Sequence, residues 1–213
     1  MTDQQLNRIT VLGVILVIIA GIVGLYWSSR PGVSIPEVAA ISDHDWVKGN
    51  KDSGNLLVEY SDFQCPACSF YSSIVEELAK EMGDKLAFVY RHHPLSIHPY
   101  AESAAAAAEA AGTQGKFWEM HDLLFKNQSV WSASADPEAA FVSYAESLSL
   151  NVEKFKTDMD SRAARGNVRA DYLSSLSLGI DSTPTFVWNG QKLADVPGNY
   201  LEFKKMIEVK LTE

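Results

Sequence analysis

The chain contains only two cysteines, and they stand one helical turn apart in the run Cys65-Pro66-Ala67-Cys68. Two cysteines at this spacing can form and break a disulfide reversibly. An apolar run, Leu56 to Tyr60, precedes them and reads as a buried strand, while Ser69 to Met82 reads as an amphipathic helix. Pro66 suits the first helical position, because it has no N–H to leave orphaned and its φ is already set; Cys65 then sits at the helix mouth. There its sulfur faces unpaired N–H groups and the positive end of the helix dipole, which favour thiolate over thiol. Cys68, one turn in, is expected to be the less exposed sulfur, so Cys65 is the attacking thiol and Cys68 the resolving one. A Cys65 pKa some three units below neutral would stabilise the reduced form by about 4 kcal/mol and make the couple roughly 90 mV more oxidising. Two other readings stay open at this point. A purely structural bridge would stabilise little, because so short a loop removes little chain entropy. A zinc site would need further ligands such as His92 or His93, and adjacent strand residues point to opposite faces.

The elements around the motif follow from periodicity. Lys85 to Tyr90 reads as a second buried strand, and residues from Pro99 to about Gly179 follow a helical pattern. Within that block Ala101 to Ala111 is an alanine-rich helix ended by Gly112, Lys116 to Phe125 is aromatic, and Asp136 caps a helix with Phe141, Tyr144, Ala145 and Leu148 in one stripe. Asn151 begins a short helix, and a longer one runs from about Ser161 to Leu176. The period then changes. Thr185 to Trp188, the turn Asn189-Gly190 and Gln191 to Ala194 read as a hairpin. Asn199 and Glu202 read as a capping box for a last helix burying Leu201, Phe203, Met206 and Ile207. Ser182-Thr183-Pro184 stands at the mouth of the hairpin; taken alone, it reads as an ordinary trans turn. His92, His93, His98 and His121 read as structural or solvent-facing, and His44 lies near the tether.

Of the residues, 46% are hydrophobic and 21% charged, which suits one compact domain with an appendage. A net charge of −9 argues against a nucleic-acid partner and against a polybasic grip on anionic lipid. Ile9 to Trp27 carries no charged residue, and at helical rise it would span about 28 Å, close to a bilayer's hydrocarbon thickness. It reads as a transmembrane anchor closed by Tyr26-Trp27 at the interface, the alternative being a cleaved signal peptide. The expected organisation is a tail at 1–8, an anchor at 9–27, a tether at 28–45, and a folded domain at 46–213 with a helical insertion at about 99–179.

Taken together, strand, Cys-Pro-x-Cys helix, strand, helical block, Thr-Pro, hairpin and helix resemble the DsbA-like branch of the thioredoxin superfamily, over about Trp46 to Leu211. The resemblance rests on Val58-Glu59-Tyr60-Ser61-Asp62-Phe63-Gln64-Cys65-Pro66-Ala67-Cys68 and on Gly179-Ile180-Asp181-Ser182-Thr183-Pro184-Thr185-Phe186. It implies an α/β thioredoxin fold, a central mixed sheet flanked by helices, with an inserted helical subdomain over the active site. It also implies a cis Pro184 set against the disulfide, and a Thr183 backbone that pairs with an extended client, with Pro66 and Ala67 at the same surface. Glu59 matches the family's buried acid, which moves the proton of the resolving thiol; the other reading is an acid pointing to water at a strand end. The most oxidising members carry histidine at the position of Ala67, so a less extreme potential is expected.

The function these features predict is a membrane-tethered thiol:disulfide oxidoreductase. It would donate the Cys65–Cys68 disulfide to reduced client proteins outside the cytoplasm, as a monomer and without cofactor or metal. By family implication, a membrane quinone-linked oxidase of the DsbB or vitamin K epoxide reductase-like kind would reoxidise it. A reductase or isomerase kept reduced by a membrane donor, and a client-holding chaperone regulated by the redox pair, are the alternatives.

Overall fold

A computed structural model describes residues 40–213 and, before them, Ile15, Ile18, Ile19 and Gly21, all four helical. The chain divides into two compact units, Met1–Gly32 and Val33–Glu213. The expected anchor therefore lies mostly outside the described residues, and among those described no helix is long and apolar enough to cross a membrane.

Five strands form one mixed sheet: β1 (Trp46–Gly49), β2 (Leu56–Ser61), β3 (Ala87–His92), β4 (Thr185–Trp188) and β5 (Gln191–Lys192), in the order β1-β3-β2-β4-β5. β2 runs parallel to β3, with Glu59 opposite Tyr90; every other pairing is antiparallel. Period-two alternation divides β2 between the two faces of the sheet. Leu57 belongs to a core shared with Phe88, Phe186 and Trp188, whereas Val58 and Tyr60 join Val89 and Val187 on the other side.

Helix α1 (Pro66–Met82) starts directly after β2 and buries Ile74, Val75, Leu78 and Met82 in that first core, at about 2 kcal/mol of apolar burial each. Six helices stand between β3 and β4: α2 (Ala101–Gly112), α3 (Phe117–Lys126), α4 (Gln128–Trp131), α5 (Pro137–Ser147), α6 (Val152–Met159) and α7 (Arg162–Ser177). Helix α8 (Tyr200–Lys210) closes the chain beside α1. The expected caps form, Asp136, Asn151, Ser161 and Asn199 each accepting from a first-turn N–H. At the hairpin, Asn189 and Gly190 take φ of 46° and 85°, as a type I′ turn requires.

Several expectations need correction. β3 lies two residues beyond Lys85–Tyr90 and takes in Arg91 and His92, because buried partners satisfy both polar side chains. Arg91 donates to both carboxylate oxygens of Asp45, at 2.9 and 2.7 Å, and His92 Nε2 lies 3.0 Å from Glu109 Oε1. Leu201, expected to be buried, is 75% exposed. It stands two residues from Phe203, about 200° round the helix from the buried Phe203–Ile207 face. Gly112 belongs inside α2, and what it provides is a close approach: a Cβ there would meet the Trp46 ring at 2.3 Å. That ring stacks on Phe117 at 4.7 Å and makes β1, which the sequence reading left out, the edge strand of the sheet. Residues 41–45, assigned to the tether, are packed on the domain through Ile41, Asp45 and the His44–Asp171 contact.

Candidate active site

The end of β2, the mouth of α1 and the start of β4 meet at the cysteines. Cys65 is the N-cap of α1, with extended φ/ψ of −77° and 121°, and Pro66 opens the helix. Both cysteines are free thiols. Cys65 is 6% exposed and Cys68 fully buried, while Pro66 and Ala67 between them are exposed. The Thr183–Pro184 bond is cis, and the Cys65 thiol points to the Thr183 carbonyl oxygen at 3.5 Å. The structure thus brings Cys65, Cys68, Pro66, Ala67, Thr183 and Pro184 together.

The two sulfurs are pushed in opposite directions. The Cys65 thiol is lowered to about 5, first by a hydrogen bond from the Cys68 thiol, and further by the N–H groups of Cys68 and Ala67, which together outweigh the cost of burial. The Thr183 hydroxyl acts in the same direction and is otherwise buried without a partner among the described residues. The helix mouth therefore contributes as expected, but the neighbouring thiol contributes more. Burial raises Cys68 far above the usual thiol range, and its hydrogen bond to Cys65 and the charge of Glu59 add to this.

Glu59 is buried at 1% exposure, which excludes the solvent-facing alternative. It stands on β2 with its Oε1 accepting from the Ser61 hydroxyl at 2.8 Å. Burial raises its carboxyl to about 7, against the opposing Ser61 bond. A group titrating there can hold or release a proton near neutral pH. The Tyr90 hydroxyl is buried near the same groups, and burial pushes it well above its ordinary range.

Three further residues hold this geometry: Asp62 and Gln128, which carried no sequence signal of their own, and His98, whose role is structural. The Asp62 N–H donates to Cys68 Sγ at 3.5 Å, and its carboxylate accepts from Gln64 N at 2.7 Å and Leu95 N at 2.8 Å, and lies 2.8 Å from His98 Nδ1. Gln128, on α4, donates to the carbonyls of Phe63 and Cys65 at 2.7 and 2.9 Å, fixing the turn that presents the nucleophile. His98 is thus part of the support for Asp62. The other histidines lie elsewhere: His93 faces Ser175 at 2.5 Å, on the side of the sheet opposite His92, as strand alternation requires. Among the described residues, His44, Asp45 and Asp171 bring possible metal-ligand atoms within 4.8 Å of one another. Asp45 is already committed to Arg91, and Asp171 accepts from His92 N and faces His44.

A family model described as Thioredoxin matches residues 42–209. The Na(+)/H(+) antiporter NhaA 3 of Salinispora tropica is 38% identical over 151 residues, which cover 70% of this chain and 22% of that protein. The chain thus spans under a quarter of the length of that curated relative. Among solved structures, oxidised BdbD from Bacillus subtilis is similar at 25% identity and a TM-score of 0.69, over 80% of this chain and 94% of that one. Alpha-DsbA1 from Wolbachia pipientis shares the fold at a TM-score of 0.73 and 18% identity, over 84% of this chain and 96% of that one.

Proposed function

The chain belongs to the thioredoxin family and has DsbA-like structural neighbours; on that premise we propose that it is a thiol:disulfide oxidoreductase that donates the Cys65–Cys68 disulfide to reduced client proteins. The observation that carries this direction is the contrast between the two sulfurs, one held ionised near neutral pH and the other held protonated by burial.

The steps follow from that contrast. A client thiolate attacks Cys65 Sγ of the oxidised pair, the Cys65–Cys68 bond breaks, and the sulfur of Cys68 leaves with the electron pair. Because Cys68 is too deeply buried to remain charged, it takes a proton, and Glu59, ionising near 7, is the donor in reach. A second client thiolate then attacks the client sulfur of the mixed disulfide and expels Cys65. A thiol of low pKa leaves fast, so this release is favoured. The client loses two electrons and the cysteine pair gains them. The exposed Pro66 and Ala67 surface and the Thr183–Pro184 segment receive the client backbone.

The regenerating oxidant is proposed to be a membrane quinone-linked oxidase of the DsbB or vitamin K epoxide reductase-like kind, and 9–27 the anchor that keeps the domain on the extracytoplasmic side. Supporting the anchor, Ile15, Ile18 and Ile19 are helical and about half exposed.

Equilibrating the full chain with glutathione buffers, and reading the thiols by alkylation, tests the direction of transfer. A potential well above roughly −270 mV, the value of a reducing thioredoxin, is expected; one at or below it would favour the reductase reading. In cells, the chain should sediment with membranes and its reduced cysteines should react with a maleimide that cannot cross them. Labelling only after lysis would place the domain on the wrong side.

A further inference from the structure

Half of the chain's six arginines stand on one face of α7. Arg162, Arg165 and Arg169 are spaced three and four apart, and all are exposed. In a chain of net charge −9 this is a local reversal of sign. The same helix continues with Leu173 and Leu176, 43% and 49% exposed. Beside the stripe a cleft of about 590 Å³ opens between α2, α7 and residues 94–99. Leu95, Ala106 and Val168 make its apolar wall, and Arg165, Arg169 and Tyr172 line it along α7. Glu102 is the one acid among its lining residues, and His98 is committed to Asp62, so the arginines leave the cleft net positive.

The guanidinium groups have capacity to spare. Arg169 and Arg162 make no side-chain hydrogen bond or ion pair among the described residues. Arg165 donates to the Asp160 carbonyl at 2.5 Å and lies 3.4 Å from that residue's carboxylate, a pair in which both side chains are well exposed and which costs little to exchange. The cleft is also coupled to the cysteines. Leu95 and His98, two of its lining residues, hold the Asp62 carboxylate, and the Asp62 N–H meets Cys68 Sγ.

We propose that this cleft and the α7 arginines bind an extended, acidic segment of the client protein, with carboxylates on Arg165 and Arg169 and apolar side chains between them on the Leu95–Val168 wall. Arginine suits this ligand because its planar donors match a carboxylate two by two. A walled concavity takes side chains of a polypeptide, whereas a bilayer surface needs a flat or convex face. The proposal rests on the thiol-exchange reading only in naming the ligand a client.

The test uses the full chain in neutral-detergent micelles and a fluorescein-labelled, cysteine-free peptide of alternating Glu and Leu, with binding read by anisotropy. Because the peptide cannot exchange disulfides, a failed redox equilibrium and a failed binding assay are told apart. The acidic peptide should bind, more weakly as salt rises, and a matched peptide of Lys and Leu should not. Arg165→Glu with Arg169→Glu should weaken binding about tenfold or more, the sum of two partly exposed charge pairs, while leaving the glutathione equilibrium unchanged. No binding, equal binding of both peptides, or binding indifferent to the substitutions would overturn the proposal. So would flotation with phosphatidylglycerol vesicles, but not phosphatidylcholine vesicles, that the same substitutions abolish while peptide binding persists; the stripe would then be a membrane contact.

Discussion

At the scale of single residues, the chemistry comes from three ionisable groups whose surroundings set them apart. With its thiol lowered to about 5, Cys65 is two units below neutral, so ionisation stabilises the reduced form by about 3 kcal/mol at pH 7, or up to roughly 60 mV. This is less than the roughly 90 mV that the sequence argument allowed, and it agrees with alanine standing where an imidazole would add charge. Glu59 carries a testable pH dependence. In the unfolded chain its carboxyl ionises near 4.3, and in the native state at about 7. Between those values the native state keeps a proton that the unfolded state has lost, so stability falls as pH rises through this window. The full deficit, about 4 kcal/mol, is present above 7. Glu59→Gln should therefore be more stable than the parent near pH 8, by up to about 4 kcal/mol, with the gap closing toward pH 4 in denaturant titrations. The same variant should oxidise a reduced client peptide about 100-fold more slowly, because the resolving thiol has lost its proton partner. A gap that does not change with pH would mean that Glu59 is not the titrating group.

At the scale of elements, the site is held by a few contacts between segments far apart in sequence. Cys65 and Pro66 could be placed from local signals, a motif and a helix start, whereas Pro184 and Glu59 were placed only through the family resemblance of the segments around them. Asp62, Gln128 and His98 could be placed by neither, because their roles exist only once α4 and residues 94–99 fold back onto β2. The same reasoning covers β1 and the true extent of β3. Arg91 and His92 read as a strand end because they are polar, yet the fold supplies Asp45 and Glu109 as partners for their side chains. Arg91 is 3% exposed, so removing Asp45 takes a bidentate carboxylate away from a buried charge. Asp45→Ala should destabilise the domain by about 3 kcal/mol or more in urea unfolding while leaving the ionisation of Cys65 in place. A loss under about 1 kcal/mol would show that the remaining contacts of Arg91 suffice to hold its charge.

At the scale of the whole molecule, a thioredoxin sheet carries the reacting groups at one end of β2, and the six-helix block between β3 and β4 both supports them and adds the arginine-lined cleft. The strands beside the motif, the hairpin and the place of the helical block follow from hydrophobic period and turn chemistry, which are local, whereas the fold class came through the family resemblance. The basic stripe of α7 was written in the sequence too, at Arg162, Arg165 and Arg169, but only the cleft beside it gives those charges a use. Every proposal about clients, partner and direction of electron flow comes back to the ionisation of one sulfur. The most direct measurement is a pH titration of the reduced full chain, followed by thiolate ultraviolet absorbance and checked by the pH dependence of alkylation at Cys65. The account predicts a single transition near 5, with Cys68 silent through neutral pH. A transition near the ordinary cysteine value of about 8.5 would contradict it.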